Sequence, residues 1–229
     1  MTNKVFNLDI VEFPKLKRVT INGTRHYIRE GDEVQEPYPS VTSITSQLAK
    51  EAIKKWRKRV GAETANKITT KATRQGTKAH ILIEEYIQGH ELPESMPNEM
   101  ELYLGFKKIA DARIDNIRSI EGQMMSDYLR VAGTVDLIAE FDGKLSVIDW
   151  KTSAKQKKHE WVHGYFMQEA AYAVMFEENT KTPIQQLVTI ISCSDGEQQI
   201  FVEKRDDWIQ KFIDLRETYD RVSDYRKNS

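Results

Sequence analysis

The sequence predicts a mixed α/β fold: a central mixed β-sheet with an antiparallel meander, flanked by helices, preceded by an N-terminal hairpin and a helical lobe. Three observations predict it. The first half of the chain carries long segments of helical periodicity. In "AETANKITTKATRQGTKAHILIEEYIQ" the residues Ala72, Ala79, Ile83 and Ile87 form one apolar stripe. The middle switches to strand-like runs, "IRSIEGQMMSD", "VAGTVDLIAEF" and "KLSVIDWKTS". The last part then reads helix, hairpin, helix.

Taken in order, "RVTINGTRHYIRE" (18–30) alternates around Asn22-Gly23, a strong two-residue hairpin signal. "EPYPS" (36–40) is a loop, and Ser40 or Thr42 is placed to cap the helical "VTSITSQLAK". "EAIKKWRKRV" continues the helical lobe. The Gly/Pro/Asn-rich "GHELPESMPN" (89–98) separates residues 1–98, hairpin and basic helices, from residues 99–229, the sheet core, within a single domain. A helix "EMELYLGFKKIADAR" precedes the three strands. After the basic loop "AKQKKHE", a helix runs from about Trp161 to Glu178, and Trp161, Tyr165, Gln168, Tyr172 and Met175 fall on one face. "QLVTIISCS" and "QQIFVEKR" flank the turn Asp195-Gly196, and a last helix starts near Asp206. There is no internal repeat.

Composition excludes several classes. Cys193 is the single cysteine, so the chain holds no internal disulfide, no cysteine zinc site and no four-cysteine iron–sulfur cluster. No apolar run has the length of a bilayer span. "MTNKVFNLDIVEF" lacks the apolar centre of a signal peptide, and its acids Asp9 and Glu12 argue against a transit peptide. The expectation is a soluble intracellular protein. No G-x-x-x-x-G-K-[ST] loop is present, so no nucleotide-driven motor is fused.

The net charge of −1 conceals an asymmetry. Between Lys50 and Lys78 lie ten basic residues, including Lys54, Lys55, Arg57, Lys58 and Arg74, opposed only by Glu51 and Glu63. A basic lobe on an acidic body is the footprint of a polyanion-binding protein. A solvated helix face gives the same pattern.

The sharpest chemical signal is "VIDWKTS" (147–153), an apolar strand carrying Asp149 and Lys151. Asp142-Gly143 is a preferred type I′ turn pair. If it closes a hairpin, Phe141 pairs with Lys144, Ala139 with Ser146 and Leu137 with Ile148, which sets Asp136 opposite Asp149. Lys151 shares the face of Asp149 by strand alternation. Two like charges opposed in apolar strands are costly, and a divalent cation offsets that cost: hard oxygen ligands suit Mg2+ or Mn2+. The lysine is placed to position or deprotonate a water, or to stabilise a developing anion. A surface ion pair between Asp149 and Lys151 is the competing reading. Other features point the same way. His80 and Glu84 share a helix face, with Gly76 permitting close backbone approach. Gln168 and Tyr172 lie on a face that is buried or lines a cleft. Glu121, on the preceding strand, is a candidate member of the acidic cluster.

G-x-x-x-H at 76–80, G-T-V-D at 133–136, D-W-K-T at 149–152 and Q-x-x-x-Y at 168–172, in this order, resemble the RecB-type branch of the PD-(D/E)xK nuclease superfamily. "YPSVTSI" followed by a basic helix with Trp56 is similar to single-strand exonucleases related to the mitochondrial genome maintenance exonuclease, and small phage proteins of this kind are common. The resemblance implies a restriction-endonuclease-like core and a Mg2+- or Mn2+-dependent DNA exonuclease serving replication, repair or recombination. It implies His80, Asp136, Asp149 and the Trp150 carbonyl as metal ligands and Lys151 as the catalytic lysine. It implies Gln168 and Tyr172 as DNA contacts, and Ser40 and Thr42 near the site. The iron–sulfur members are excluded by the cysteine count. The implied partner is DNA, single strands or ends, with a separate helicase, polymerase or recombination protein as a possible companion, and no membrane. If the chain is phage-encoded, its compartment is the cytoplasm of a bacterial host. The alternatives are a structure-specific endonuclease and a non-catalytic DNA-binding module that keeps the fold.

Overall fold

The computed structural model of the 229-residue chain describes residues 4–32, 34 and 36–227. Residues 1–3, at the start of the stretch read for a leader, lie outside the described residues.

Two sheets form. The larger has the order β4(Ile114–Ser126), β5(Val131–Phe141), β6(Lys144–Ser153), β7(Gln186–Cys193), β8(Gln198–Lys204). Only the β6–β7 pair is parallel, because helix α5(His163–Thr180) carries the chain across between them. The remaining pairs are antiparallel, so the sheet is mixed as the sequence predicts. The smaller sheet is β1(Leu16–Ile21), β2(Thr24–Arg29) and the two-residue β3(Tyr38–Pro39).

Turn chemistry sets the hairpins. Asn22 and Gly23 sit at φ 50 and 72, and Asp142 and Gly143 at φ 52 and 73, the left-handed pairs that a type I′ turn requires. The β5–β6 ladder accordingly pairs Phe141 with Lys144, Ala139 with Ser146 and Leu137 with Ile148. Its last pair is Leu137 with Ile148, although β6 runs on beside β7 as far as Ser153.

Both faces of the large sheet are covered. On one face, Leu137, Ala139, Ile148, Trp150, Val188 and Ile190 pack against Leu82 and Ile83 of α3(Ala62–Gln88) and Leu102 and Phe106 of α4(Pro97–Arg113). On the other, Val147, Leu187 and Ile191 pack against Phe166, Ala170 and Met175 of α5 and Trp208 and Phe212 of α6(Arg205–Lys227). Burying each such large side chain contributes about 1.5–3 kcal/mol, so these two layers fix the helices that bring side chains to the sheet end. Cys193 is buried and free within this packing.

Helix α1(Val41–Thr45) starts at Ser40, whose Oγ accepts from the Ser43 N–H at 3.1 Å. A 3-10 turn, Ser46–Ala49, leads into α2(Lys50–Val60), which has no buried residue. α3 begins after Gly61, and most of its first half stays exposed. There the apolar stripe breaks down. Ala79, Ile83 and Ile87 are buried, but Ala72 is exposed, because α3 reaches the core only in its second half. A 27-residue helix spans about 40 Å, so α2 and the start of α3 form a projecting basic arm. Trp161 also departs from its expected stripe. It lies in a 3-10 turn ahead of α5, 63% exposed, while Val162 takes the inward place. Among the described residues no helix is long and apolar enough to cross a membrane.

Candidate active site

The site lies where the β5–β6 ladder stops. Asp136 on β5 and Asp149 and Lys151 on β6 fall just past the Leu137–Ile148 pair. Pairing continues on the outer side of each strand: Asp136 is bracketed by the Ile120–Leu137 and Gly122–Val135 pairs with β4, and Asp149 pairs with Thr189 of β7. In place of a ladder pair, the Trp150 N–H donates to Asp136 Oδ2 at 2.9 Å.

Each face of the sheet supplies part of the constellation. From α3, His80 brings Nδ1 to 3.6 Å from Asp136 Oδ2, its ring edge-on to Phe106 of α4. Gly76, one turn earlier, lets α3 approach β6: a Cβ there would lie 3.1 Å from Thr152 Oγ1. From α5, Gln168 donates through Nε2 to Asp149 Oδ1 at 3.0 Å. The Lys151 ammonium meets Asp149 Oδ2 and lies 5.1 Å from the Tyr165 ring centroid. Asp149 and Gln168 are buried, whereas Lys151 is partly open to the cavity.

Glu121 joins this group. On β4 it lies between the residues that pair with Leu137 and Val135, the neighbours of Asp136, and one ligand atom each from His80, Glu121 and Asp136 lies within 4.8 Å of the others. Its backbone takes φ 48, a left-handed value that a glutamate seldom adopts. Glu84, one turn beyond His80, lies close enough to perturb it.

The electrostatics are those of an acidic cluster with too little positive charge around it. Enclosure by protein, then the charges of Asp136 and Glu84, pushes Glu121 up to about 8. Burial pushes Asp149 up to about 6 against the pull of Lys151, and burial raises Asp136 and Glu84 as well. Burial, then the Lys151 charge, lowers His80 to about 4, which leaves a neutral imidazole. Burial disfavours the Lys151 ammonium, but Asp149 and Asp136 more than offset it, so its pKa is raised. Asp149 Oδ2 touches that ammonium yet accepts no well-formed hydrogen bond. Carboxylate oxygens and a neutral imidazole around one point are a donor set that fits a hard divalent ion.

The cavity in front of this cluster has a volume of about 530 Å3. His80, Glu121, Asp136, Lys151 and Gln168 line it, together with Thr42, Gln123 and Thr134. Its remaining walls are Arg18, Arg25 and Tyr27 of the small sheet, which the sequence reading did not single out. Nothing in their sequence neighbourhood signals the site, because only the docking of the small sheet brings them there.

Other expected residues do not line the cavity. Ser40 is buried and serves as the α1 cap; its Oγ lies 3.1 Å from Thr42 Oγ1. Tyr172, expected as a DNA contact or stacking surface, is only 2% exposed. Its ring fills the space under Gly133, where a Cβ would come within 2.7 Å of the hydroxyl, so it backs β5 and is not presented to the cavity. Lys54, Lys55 and Lys58 are exposed on α2, and Trp56 is half-buried. Arg57 donates to Asn66 Oδ1 at 2.6 Å, linking α2 to α3, and Arg74 lies 3.6 Å from Glu99.

Known proteins resemble this chain over most of its length. Residues 25–227 match the family model described as the PD-(D/E)XK nuclease superfamily. Mitochondrial genome maintenance exonuclease 1 of Homo sapiens is 27% identical over 173 residues, 69% of this chain and 50% of the relative. The Xenopus tropicalis protein of the same name is 28% identical over 173 residues, 69% of this chain and 49% of the relative. The chain thus spans about half the length of these curated relatives. A crystal structure from Eubacterium rectale, described as a candidate exonuclease, aligns with TM-score 0.45 and 15% identity over 64% of each chain. With a family match running from the first hairpin to the last helix, the chain belongs to the PD-(D/E)XK nuclease superfamily.

Proposed function

We propose that this protein is a divalent-metal-dependent DNA exonuclease that hydrolyses phosphodiester bonds of single strands or DNA ends. One observation carries the reading. Asp136, Asp149, Lys151, His80 and Glu121 meet at the unpaired end of a β-hairpin, where buried Asp149, half-buried Asp136 and the more exposed Glu121 carry charges that the protein alone does not balance. Membership of a nuclease superfamily supports the chemistry, and the exonuclease names of the relatives support the mode.

His80, Asp136 and Asp149, with the Trp150 carbonyl, would hold Mg2+ or Mn2+, and Glu121 would hold it directly or through water. When bound, the ion supplies Lewis acidity and a more acidic water. The chain's own residues do the remaining work. Lys151, cationic beside Asp149, offers charge and N–H donors to the phosphate oxygens as negative charge accumulates. A water oxygen forms the new bond to phosphorus, the bond to the leaving sugar oxygen breaks, and that oxygen takes up a proton. Gln168 orients Asp149. The basic arm of α2 and early α3 holds the strand by its phosphates.

The test is degradation of 5′- and 3′-labelled single- and double-stranded DNA with Mg2+, with Mn2+ and with a chelator. Mononucleotide or short products from linear strands, closed circles left intact and no product in chelator are expected. Cutting of closed circles makes it an endonuclease. Binding without metal-dependent cutting makes it a DNA-binding module.

A further inference from the structure

We propose that Arg18 and Arg25, on the face of the N-terminal hairpin that closes the cavity, form a clamp for a second phosphate of the nucleic acid, distinct from the phosphate being hydrolysed. This rests on the reading of the cavity as a nucleic-acid site.

The register places the two arginines. β1 and β2 pair Arg18 with Tyr27 and Thr20 with Arg25. Opposed residues share a face, and that face alternates along each strand, so Arg18, Arg25 and Tyr27 project together. Tyr27 and Leu16, on this face, are buried against Met125 and Ala132 of the large sheet. Leu16 and Tyr27 therefore dock the small sheet, while Arg18, opposite Tyr27, and Arg25, one step nearer the Asn22-Gly23 turn, present two guanidiniums. Both line the same cavity as His80, Glu121 and Asp136.

Among the described residues their guanidiniums face the cavity without ionic partners. Arg29, further along β2, is paired with Asp127, and Arg130 with Glu36. Among the described residues neither Arg18 nor Arg25 forms an ion pair, although carboxylates line the same cavity. An acidic cluster repels an incoming strand at every phosphate except the one that the metal and Lys151 neutralise. Two unpaired guanidiniums on the adjoining wall remove that repulsion for a neighbouring phosphate, and the planar fork of arginine suits its oxygens. The phosphate is an internal phosphodiester or the monoester at a DNA end. The chemistry of the clamp is the same for both.

The experiment measures binding of fluorescent single-stranded oligonucleotides, with and without a terminal phosphate, to the full chain in chelator over a salt series. The proteins are wild type, R18Q, R25Q, R18Q/R25Q and R18K/R25K, each checked for folding by circular dichroism. R18Q/R25Q should weaken binding and flatten the plot of log K against log salt by about 1.4, at ~0.7 for each guanidinium on a single strand. R18K/R25K should keep the wild-type slope. In Mg2+, the glutamine variants should raise KM with little change in kcat. An affinity gain from the terminal phosphate that vanishes in R18Q/R25Q assigns the clamp to a DNA end; loss of affinity on both oligonucleotides alike assigns it to an internal phosphodiester. Unchanged slope and KM in a folded R18Q/R25Q protein overturn the clamp, as does a wild-type protein that binds no DNA. A wild type that binds but does not cut sinks the nuclease reading and leaves the salt slope to decide the clamp.

Discussion

The backbone N–H of Trp150 donates to the carboxylate of Asp136 across a gap in the β5–β6 ladder, at 2.9 Å. This bond replaces the regular pairing that ends at Leu137 and Ile148. It holds one acidic residue between His80 on the α3 side and Asp149 with Lys151 on the α5 side.

The Asp149–Lys151 pair should be costly to break and cheap to delete. Removing one partner of a buried pair costs about 3–5 kcal/mol, because the other charge is left uncompensated. Without metal, Lys151→Met should therefore lower stability strongly, and D149N/K151M should recover most of the loss. Urea unfolding of the single and double variants measures this. Both proteins should lose DNA cleavage by at least about 10²-fold.

Divalent ions should stabilise the fold through the acidic cluster. Glu121, Asp136 and Asp149 all have their acid forms favoured by their surroundings, so a cation relieves a strain that exists before substrate arrives. Mn2+ at a hundred times its dissociation constant should add about 2.7 kcal/mol. Thermal melts should rise with Mn2+ in wild type and stay flat in H80A/D136N. An equal rise in both would place the ion elsewhere.

Glu169 is a fully buried acid that the chemistry does not use. It lies on α5, accepts from the Thr189 hydroxyl, and leaves its Oε2 without a partner. Burial raises its pKa well above the ordinary value of 4.5; the charges of Asp149 and Asp136 add to this, and Thr189 and Lys151 oppose it. A raised native pKa gives stability that is complete below the unfolded pKa and lost as pH rises toward the native one. Glu169→Gln has no such loss. The stability of E169Q relative to wild type should therefore increase from pH 4 to pH 8 in urea midpoints. A difference that does not change with pH would remove Glu169 as a neutral buried acid.

The arm should bind without supporting the fold. Lys54, Lys55 and Lys58 are exposed on a helix with no buried residue. K54A/K55A/K58A should melt within about 0.5 kcal/mol of wild type. The same variant should flatten the salt dependence of single-strand binding by about 0.7 for each phosphate that is no longer neutralised. Unchanged binding would assign the arm another role.

The parts of the site that were legible in the sequence are those governed by one short turn. Asp142-Gly143 admits few backbone geometries, so Leu137 and Ile148 could be paired by counting outward; the expected pair Asp136–Asp149 is not part of the ladder, which ends one step short of it. Glu121 was harder to place. A longer connection joins β4 to β5, and a register shift lies between Asp115 and Ser119. Periodicity overreached where a helix outran its support, which left Ala72 exposed, and where a 3-10 turn preceded a helix, which turned Trp161 outward. Arg18 and Arg25 carried no signal at all. Their role comes from docking one sheet on another, held by Leu16 and Tyr27, and no local pattern encodes the outcome of such docking.

The gap in the ladder also decides what the site stands on. Asp136 is braced by β4, through the pairs on either side of Glu121, whereas Asp149 and Lys151 are braced by β7, opposite Thr189 and Ile191. The proposed ligand set is therefore split between two halves of the sheet, which the Asp142-Gly143 turn joins. A cation held by the proposed ligands would tie the β4–β5 half of the sheet to the β6–β7 half.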